Sequence, residues 1–288
     1  MPFGRPETVS TVLHHNSYGK SAIRLTKIVR GPQRHDLFEI SVDIRLEGDF
    51  AASYERGDNR KIIATDSMKN TVYVLAKEND FNCIEDFAKL LSRHFLSTYP
   101  QVKTATVDVS QANWNRIDID HRPHPHSFVS GGGELRTCRA ITEKHSSALS
   151  GGLSGLQVLK TTASEFADFV VDRYRTLKDT HDRIFATAVD VQWNYCGVAD
   201  FNQAFASIRG ALLKTFATHH SLAVQQTLLA MGEAALAACP SIDSIELKMP
   251  NQHRIPFNLE PFGLENSNEI FVPTDEPFGL ITGVVKRK

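Results

Sequence analysis

Charge imbalance is missing from this chain of 288 residues, in which 32 basic residues stand against 33 acidic ones. Neither a nucleic-acid footprint nor attraction to an anionic membrane is suggested, and a small substrate or a protein partner fits better. Cysteine is scarce as well. The four present (Cys83, Cys138, Cys196 and Cys239) keep no CxxC spacing, which argues against a zinc knuckle and a disulfide framework. Reduced, mostly buried thiols are the expectation. No apolar run approaches the length of a membrane span. Residues 1–16 lack the apolar stretch of a signal peptide and read as a loose tail. The last residues, Val-Val-Lys-Arg-Lys, are not a Ser-Lys-Leu peroxisomal address. The expected location is therefore the cytoplasm. No Gly-x-Gly-x-x-Gly turn follows a strand and there is no phosphate loop, which argues against a doubly wound nucleotide fold. Gly131-Gly132-Gly133 has no helix start behind it and reads as a flexible turn.

What the chain does contain is one pattern, written twice. Phe38, Ile40, Val42, Ile44 and Leu46 alternate with Glu39, Ser41, Asp43 and Arg45. Period two over this length predicts a long strand with one face buried, typical of an antiparallel sheet. Residues 21–29 read as its hairpin partner across a turn at Gly31-Pro32. The period then changes. Met68, Val72 and Leu75 predict a short helix, and Ile84, Phe87, Leu91 and Phe95 a second, ended by Pro100. Strand-like runs return at 102–109 and 114–119. The second half repeats the plan: strands at 155–162 and 185–195, then helical runs carrying Phe201, Phe205, Leu212 and Phe216, and Val224, Leu228, Met231 and Ala235. Pro240 closes that pair before strands at 242–249 and the C-terminus. Two passes of strand–strand–helix–helix–strand–strand imply a tandem α+β duplication, with domains at 1–145 and 146–288 meeting in the Gly/Ser-rich stretch 146–152. Two helices cannot cover both faces of such a sheet, and its edges stay open. An oligomer that closes sheets into a barrel would resolve both problems.

Three local features carry candidate chemistry. His121, His124 and His126 alternate with prolines and could in principle bind a transition metal. The prolines hold the backbone extended, and no other Cys/His cluster has ligand spacing. A loop of hydrogen-bonded histidines near a subunit contact is the favoured reading. Lys20, at the mouth of the first strand, is ordinarily a solvated charge unless a neighbour desolvates it. Ala64-Thr65-Asp66-Ser67 precedes a helix, so Asp66 or Ser67 is expected to cap it, leaving Thr65 just outside with a free hydroxyl.

Seven segments together are far more specific. Tyr-Gly-Lys at 18–20, Ala-Thr-Asp-Ser-Met-Lys-Asn-Thr at 64–71 and Asp-His-Arg-Pro-His-Pro-His-Ser-Phe at 120–128 resemble signatures of the urate oxidase family. So do Leu-Ser-Gly-Leu-Gln-Val-Leu-Lys at 153–160, Tyr-Arg-Thr-Leu-Lys-Asp-Thr-His-Asp-Arg-Ile at 174–184, Ser-Leu-Ala-Val-Gln-Gln-Thr at 221–227 and Met-Pro-Asn-Gln-His at 249–253. They stand in the family's order at similar separations. Residues 193–202 and those from 258 onward look less like the family.

The resemblance implies the tunnelling fold: two tandem domains of antiparallel strands and paired helices, closed into a barrel by dimerisation, with two barrels stacked as a homotetramer. It implies oxidation of urate by molecular oxygen to 5-hydroxyisourate with release of hydrogen peroxide, at a site between subunits that uses no metal, flavin or haem. Lys20, Thr65 and His253 match the family's proton-relay positions. Arg183 and Gln225 match the clamp on the purine's edges, Phe166 the stacking ring, and Val224 and Asp66 backbone contacts. Asn251, with Thr65, lies where oxygen is held above the ring. Two other readings compete. A zinc-using relative of the same fold would need a Cys/His ligand set, which only residues 121–126 approach. A purine-binding oligomer without catalysis would need the Arg183–Gln225 clamp but not the relay.

Overall fold

A computed structural model describes residues 11–197 and 199–288; part of the tail expected over 1–16, residues 1–10, lies outside them. Eight strands form one antiparallel sheet in simple sequence order. The elements of the first half are β1 (Tyr18–Arg30), β2 (His35–Gly48), α1 (Ala51–Arg56), α2 (Thr65–Glu78), α3 (Ile84–Thr98), β3 (Val102–Ile119) and β4 (Arg122–Glu143). The second half runs β5 (Ser147–Lys160), β6 (Phe185–Tyr195), α4 (Phe201–Thr218), α5 (Val224–Ala238), β7 (Ile242–Pro256), a single 3-10 turn at Glu260–Phe262, and β8 (Phe271–Lys286).

The expected alternation is what buries the sheet. Ile40, Val42, Ile44 and Leu46 on β2 meet Ala105, Val107 and Val109 on β3 under α2 and α3. The helical row Ile84, Phe87, Leu91 and Phe95 has no exposed surface, and each such side chain stabilises the fold by about 1.5–3 kcal/mol. A second core lies under α4 and α5, built on Val189, Val191 and Trp193 of β6 and Ile245, Leu247 and Met249 of β7. On α4 the buried row is Ala204, Ile208, Leu212 and Phe216, while Phe201 and Phe205 lie half-buried against Tyr195 and Trp193.

Four local expectations are corrected. Residues 102–109 and 114–119 belong to one strand, β3, whose pairing with β4 shifts register between Ala112 and Trp114 and again between Arg116 and Asp118. Residues 122–134, expected as a histidine loop and a glycine turn, are strand: β4 pairs with β3 down to Arg122, whereas its pairing with β5 starts at Leu135. The outer half of β4 is therefore an edge, where Pro123 and Pro125 remove no ladder bond. The strand expected over 155–162 begins already at Ser147 and ends at Lys160, and Gly151 is required in it because a Cβ would stand 2.6 Å from Trp193 Nε1. Finally, α2 begins at Thr65 itself; its N-cap is Ala64, with no side-chain cap. Asp66 bonds within the helix instead, to Lys69 at 2.5 Å and Asn70 at 3.0 Å.

A buried ion pair of the first half reaches across to the second. Glu85, fully buried on α3, accepts from Arg136 of β4 at 2.8 and 3.2 Å, and Arg136 also donates to Asn202 and to the Phe201 carbonyl of α4. Burial raises the Glu85 pKa, while the Arg136 charge opposes that shift. Arg136→Ala should lower stability by about 3–5 kcal/mol, because it strands a buried carboxylate. Glu85→Gln should cost clearly less, since it removes the charge that burial penalises. Urea midpoints of the two variants measure this. Equal losses would mean that the packing of these side chains, and not the stranded charge, sets the cost.

Candidate active site

Three short segments meet beside α5. Residues 163–166 bond to 180–183 through Phe166 N–H to Thr180 O at 2.8 Å, Thr180 N–H to Phe166 O at 3.0 Å and Arg183 N–H to Ser164 O at 2.9 Å. The same residues bond to Ser221, which accepts from Glu165 N–H at 2.6 Å and donates to Ala163 O at 3.0 Å. This stitching brings Phe166, Arg183 and the start of α5 to one place, although they are distant in sequence. The Arg183 guanidinium carbon lies 5.2 Å from the Phe166 ring centre. Its Nε is buried and has no hydrogen-bond partner among the described residues, and burial depresses its pKa.

β7 supplies the other wall. Asn251 pairs with Thr187 of β6, and it shares the parity of Met249 and Leu247, so it faces the helix side of the sheet. After a register shift between Asn251 and His253 the strand pairs again at Thr274 of β8. Phe166, Arg183, Asn251 and His253 together line a cleft of about 470 Å³, in the range of small-ligand pockets. Val224 and Gln225 open α5, whose N-cap Ala223 offers no side-chain bond. No side chain of the N-cap therefore satisfies the first N–H groups of the helix, an arrangement that favours an anion. A larger cleft of about 790 Å³ lies between α3 and α4 but contains none of the expected residues.

The relay candidates of the first half lie elsewhere. Lys20 is on β1, opposite Ile44 and just before a register shift in the β1–β2 pairing. Two residues earlier, Tyr18 accepts from Ile63 N–H at 2.8 Å and donates to Ile63 O at 3.3 Å. That bond ties the chain leading into Thr65 to the strand carrying Lys20, and burial raises the Tyr18 pKa. Asp66 is held below the usual carboxylate range mainly by its Lys69 hydrogen bond and charge, with a smaller contribution from Lys20. Five strands separate β1 from β7, about 29 Å at 4.8 Å per strand step. One chain thus gathers Lys20, Thr65 and Asp66 at one edge of its sheet, and Phe166, Arg183, Asn251 and His253, with Val224 and Gln225 on the adjoining helix, at the other.

Among the described residues no three His, Cys, Asp or Glu side chains gather in a metal-holding geometry. His124 and His126 make edge contact at 4.5 Å, and His126 lies 5.9 Å from His35. Sequence reasoning missed Glu165, whose carboxylate joins His181 and His220 beside the cleft. No local pattern marks it, because its partners lie 16 and 55 positions away.

The uricase family model matches residues 16–141 and 149–282, a span that includes 193–202. The uricase of Arthrobacter globiformis is 41% identical over 278 residues, covering 96% of this chain and 90% of that protein. The uricase of Aspergillus flavus is 38% identical over 287 residues, covering 94% and 95%. The crystal structure of the Arthrobacter globiformis uricase superposes with a TM-score of 0.92 over 97% of this chain and 96% of that one. The urate oxidase of Bacillus sp. TB-90, at 20% identity and a TM-score of 0.80, shares the fold. The paired-helix, antiparallel architecture read from the sequence is that of these proteins, and the chain belongs to the uricase family.

Proposed function

We propose that this chain oxidises urate with molecular oxygen and water to 5-hydroxyisourate and hydrogen peroxide, at a site completed by a second copy. The observation that carries the reading is the split of the expected residues between the two open edges of one sheet. If the β1 edge of one copy lies beside the β8 edge of another, Lys20 and Thr65 come to face the Arg183 cleft. Val272, Phe278, Leu280 and Val284 are exposed on β8, which favours such burial. Two barrels stacking into a homotetramer, and the division into domains 1–145 and 146–288, belong to the same proposal. The separate cores of the two halves support that division.

Each residue then has a chemical task. Urate is a flat anion with ring N–H and carbonyl groups. Arg183 offers a planar donor fork to one edge. Gln225 both donates and accepts at the other, while Phe166 stacks on the ring. The Val224 and Asp66 N–H groups complete the in-plane bonds. Lys20 takes a proton from urate through the Thr65 hydroxyl, and His253 completes the path. The deprotonated purine is itself the reductant: it passes two electrons to oxygen held near Asn251 and Thr65, through a hydroperoxide. Peroxide leaves and water adds at the same carbon. No cofactor is required, because the protein only orients, desolvates and moves protons.

Loss of urate absorbance should match oxygen uptake and peroxide release one for one. Urate binding without oxygen uptake would instead identify a non-catalytic purine binder. Protein dialysed against a strong chelator should keep its full activity. Activity that vanished and returned with added metal would point back to His121, His124 and His126.

A further inference from the structure

Phe166 and Arg183 are carried by residues 163–166 and 180–183, and Gln225 by the segment that starts at Ser221. Backbone bonds tie the second and third segments to the first. Among the described residues no hydrogen bond runs directly from 180–183 to 220–223. One side chain reaches both. Glu165 Oε1 lies 2.6 Å from His220 Nε2, and Oε2 lies 3.3 Å from His181 Nδ1. These contacts hold the Glu165 carboxyl below its usual range, the His220 bond first and the His181 bond second. An ionised carboxylate only accepts, so each imidazole is the donor. His181 stands two residues before Arg183, and His220 stands five before Gln225.

We propose that Glu165 is a positioning residue: by bridging His181 and His220 it sets the separation between the Arg183 fork and the Gln225 amide to the width of a purine anion. The proposal rests on the reading of this cleft as the urate site. Both histidines are largely exposed, at 76% and 56% for their side chains, with the carboxylate at 23%. Exposed ion pairs of this kind contribute little to global stability, so the effect of the bracket is local geometry. Bound-state precision is what such an arrangement controls, since a displaced donor loses its charge-assisted bond to the purine edge and binding weakens.

The test is equilibrium binding of urate without oxygen, together with steady-state kinetics. Glu165→Ala should raise both Kd and KM about tenfold while kcat stays within about twofold, because the clamp is affected and the proton path is not. Glu165→Gln, which can satisfy one imidazole but lacks the charge for both, should fall between. Adding His220→Ala to Glu165→Ala should cost nothing further, since the bracket is already open. Unchanged Kd in Glu165→Ala, with melting temperature and oligomeric state retained, overturns the proposal. So does a fall in kcat at constant KM, or additive losses in the double variant. Arg183→Ala, assayed beside them, separates the two levels. If it binds urate normally, the cleft reading fails and the bracket with it; if it fails to bind while Glu165→Ala binds normally, only the bracket is wrong.

Discussion

Replacing Lys20 by methionine should lower turnover by about 10²- to 10⁴-fold, the usual effect of removing a general base, with anaerobic urate binding almost unchanged. Methionine keeps the length and apolar stem of lysine and removes only the proton acceptor. The structure explains why the effect should be confined to chemistry. Lys20 lies on β1, held beside the Thr65 segment by the Tyr18–Ile63 bonds, whereas Phe166 and Arg183 are positioned by backbone bonds among 163–166, 180–183 and Ser221 that do not involve it. Removing the amine disturbs neither Arg183 nor Phe166. Stopped-flow turnover and equilibrium binding measure the two effects separately. A Lys20→Met protein that turns over normally would remove lysine from the proton path, and one that cannot bind urate would place it in the clamp.

A mixture of two inactive chains should recover activity. Arg183→Ala alone should weaken urate binding by about 10²-fold, because it removes paired charge-assisted donors from a largely desolvated edge. Refolded together with Lys20→Met, it should form mixed dimers in about half of all pairings. In a mixed dimer with a two-fold interface, one site collects both defects and the other receives an intact Lys20 and an intact Arg183. Roughly a quarter of all sites should therefore return to normal turnover and affinity. A site built within one chain cannot be repaired in this way. Absence of recovery, in a mixture shown by mass to contain mixed dimers, would refute the shared site. The expectation follows from sheet order: β1 and β7 are separated by five strands, and no side chain spans that distance.

Periodicity carried the fold because half-burial writes itself into local sequence. The alternation from Phe38 to Leu46 and the row Ile84, Phe87, Leu91 and Phe95 each encode one buried face. The same logic failed where burial is weak. Residues 122–134 form an edge with β3 as its single partner, so their polar, proline- and glycine-rich composition resembles a loop. The start of α2 departs from its local pattern for a related reason: Asp66 finds its partners inside the helix, in Lys69 and Asn70.

By itself the sequence determined the duplicated strand–helix plan and the family, and it pointed to nine candidate site residues, because short motifs and periods are local properties of a chain. Only the tertiary structure decided how these residues are grouped. The backbone bonds among 163–166, 180–183 and Ser221 make a cleft of Phe166, Arg183 and the α5 start. The strand order holds Lys20, Thr65 and Asp66 away from it. Glu165, invisible in the sequence, gains its meaning from His181 and His220. Such groupings depend on contacts between residues far apart along the chain, and no local period or spacing encodes them.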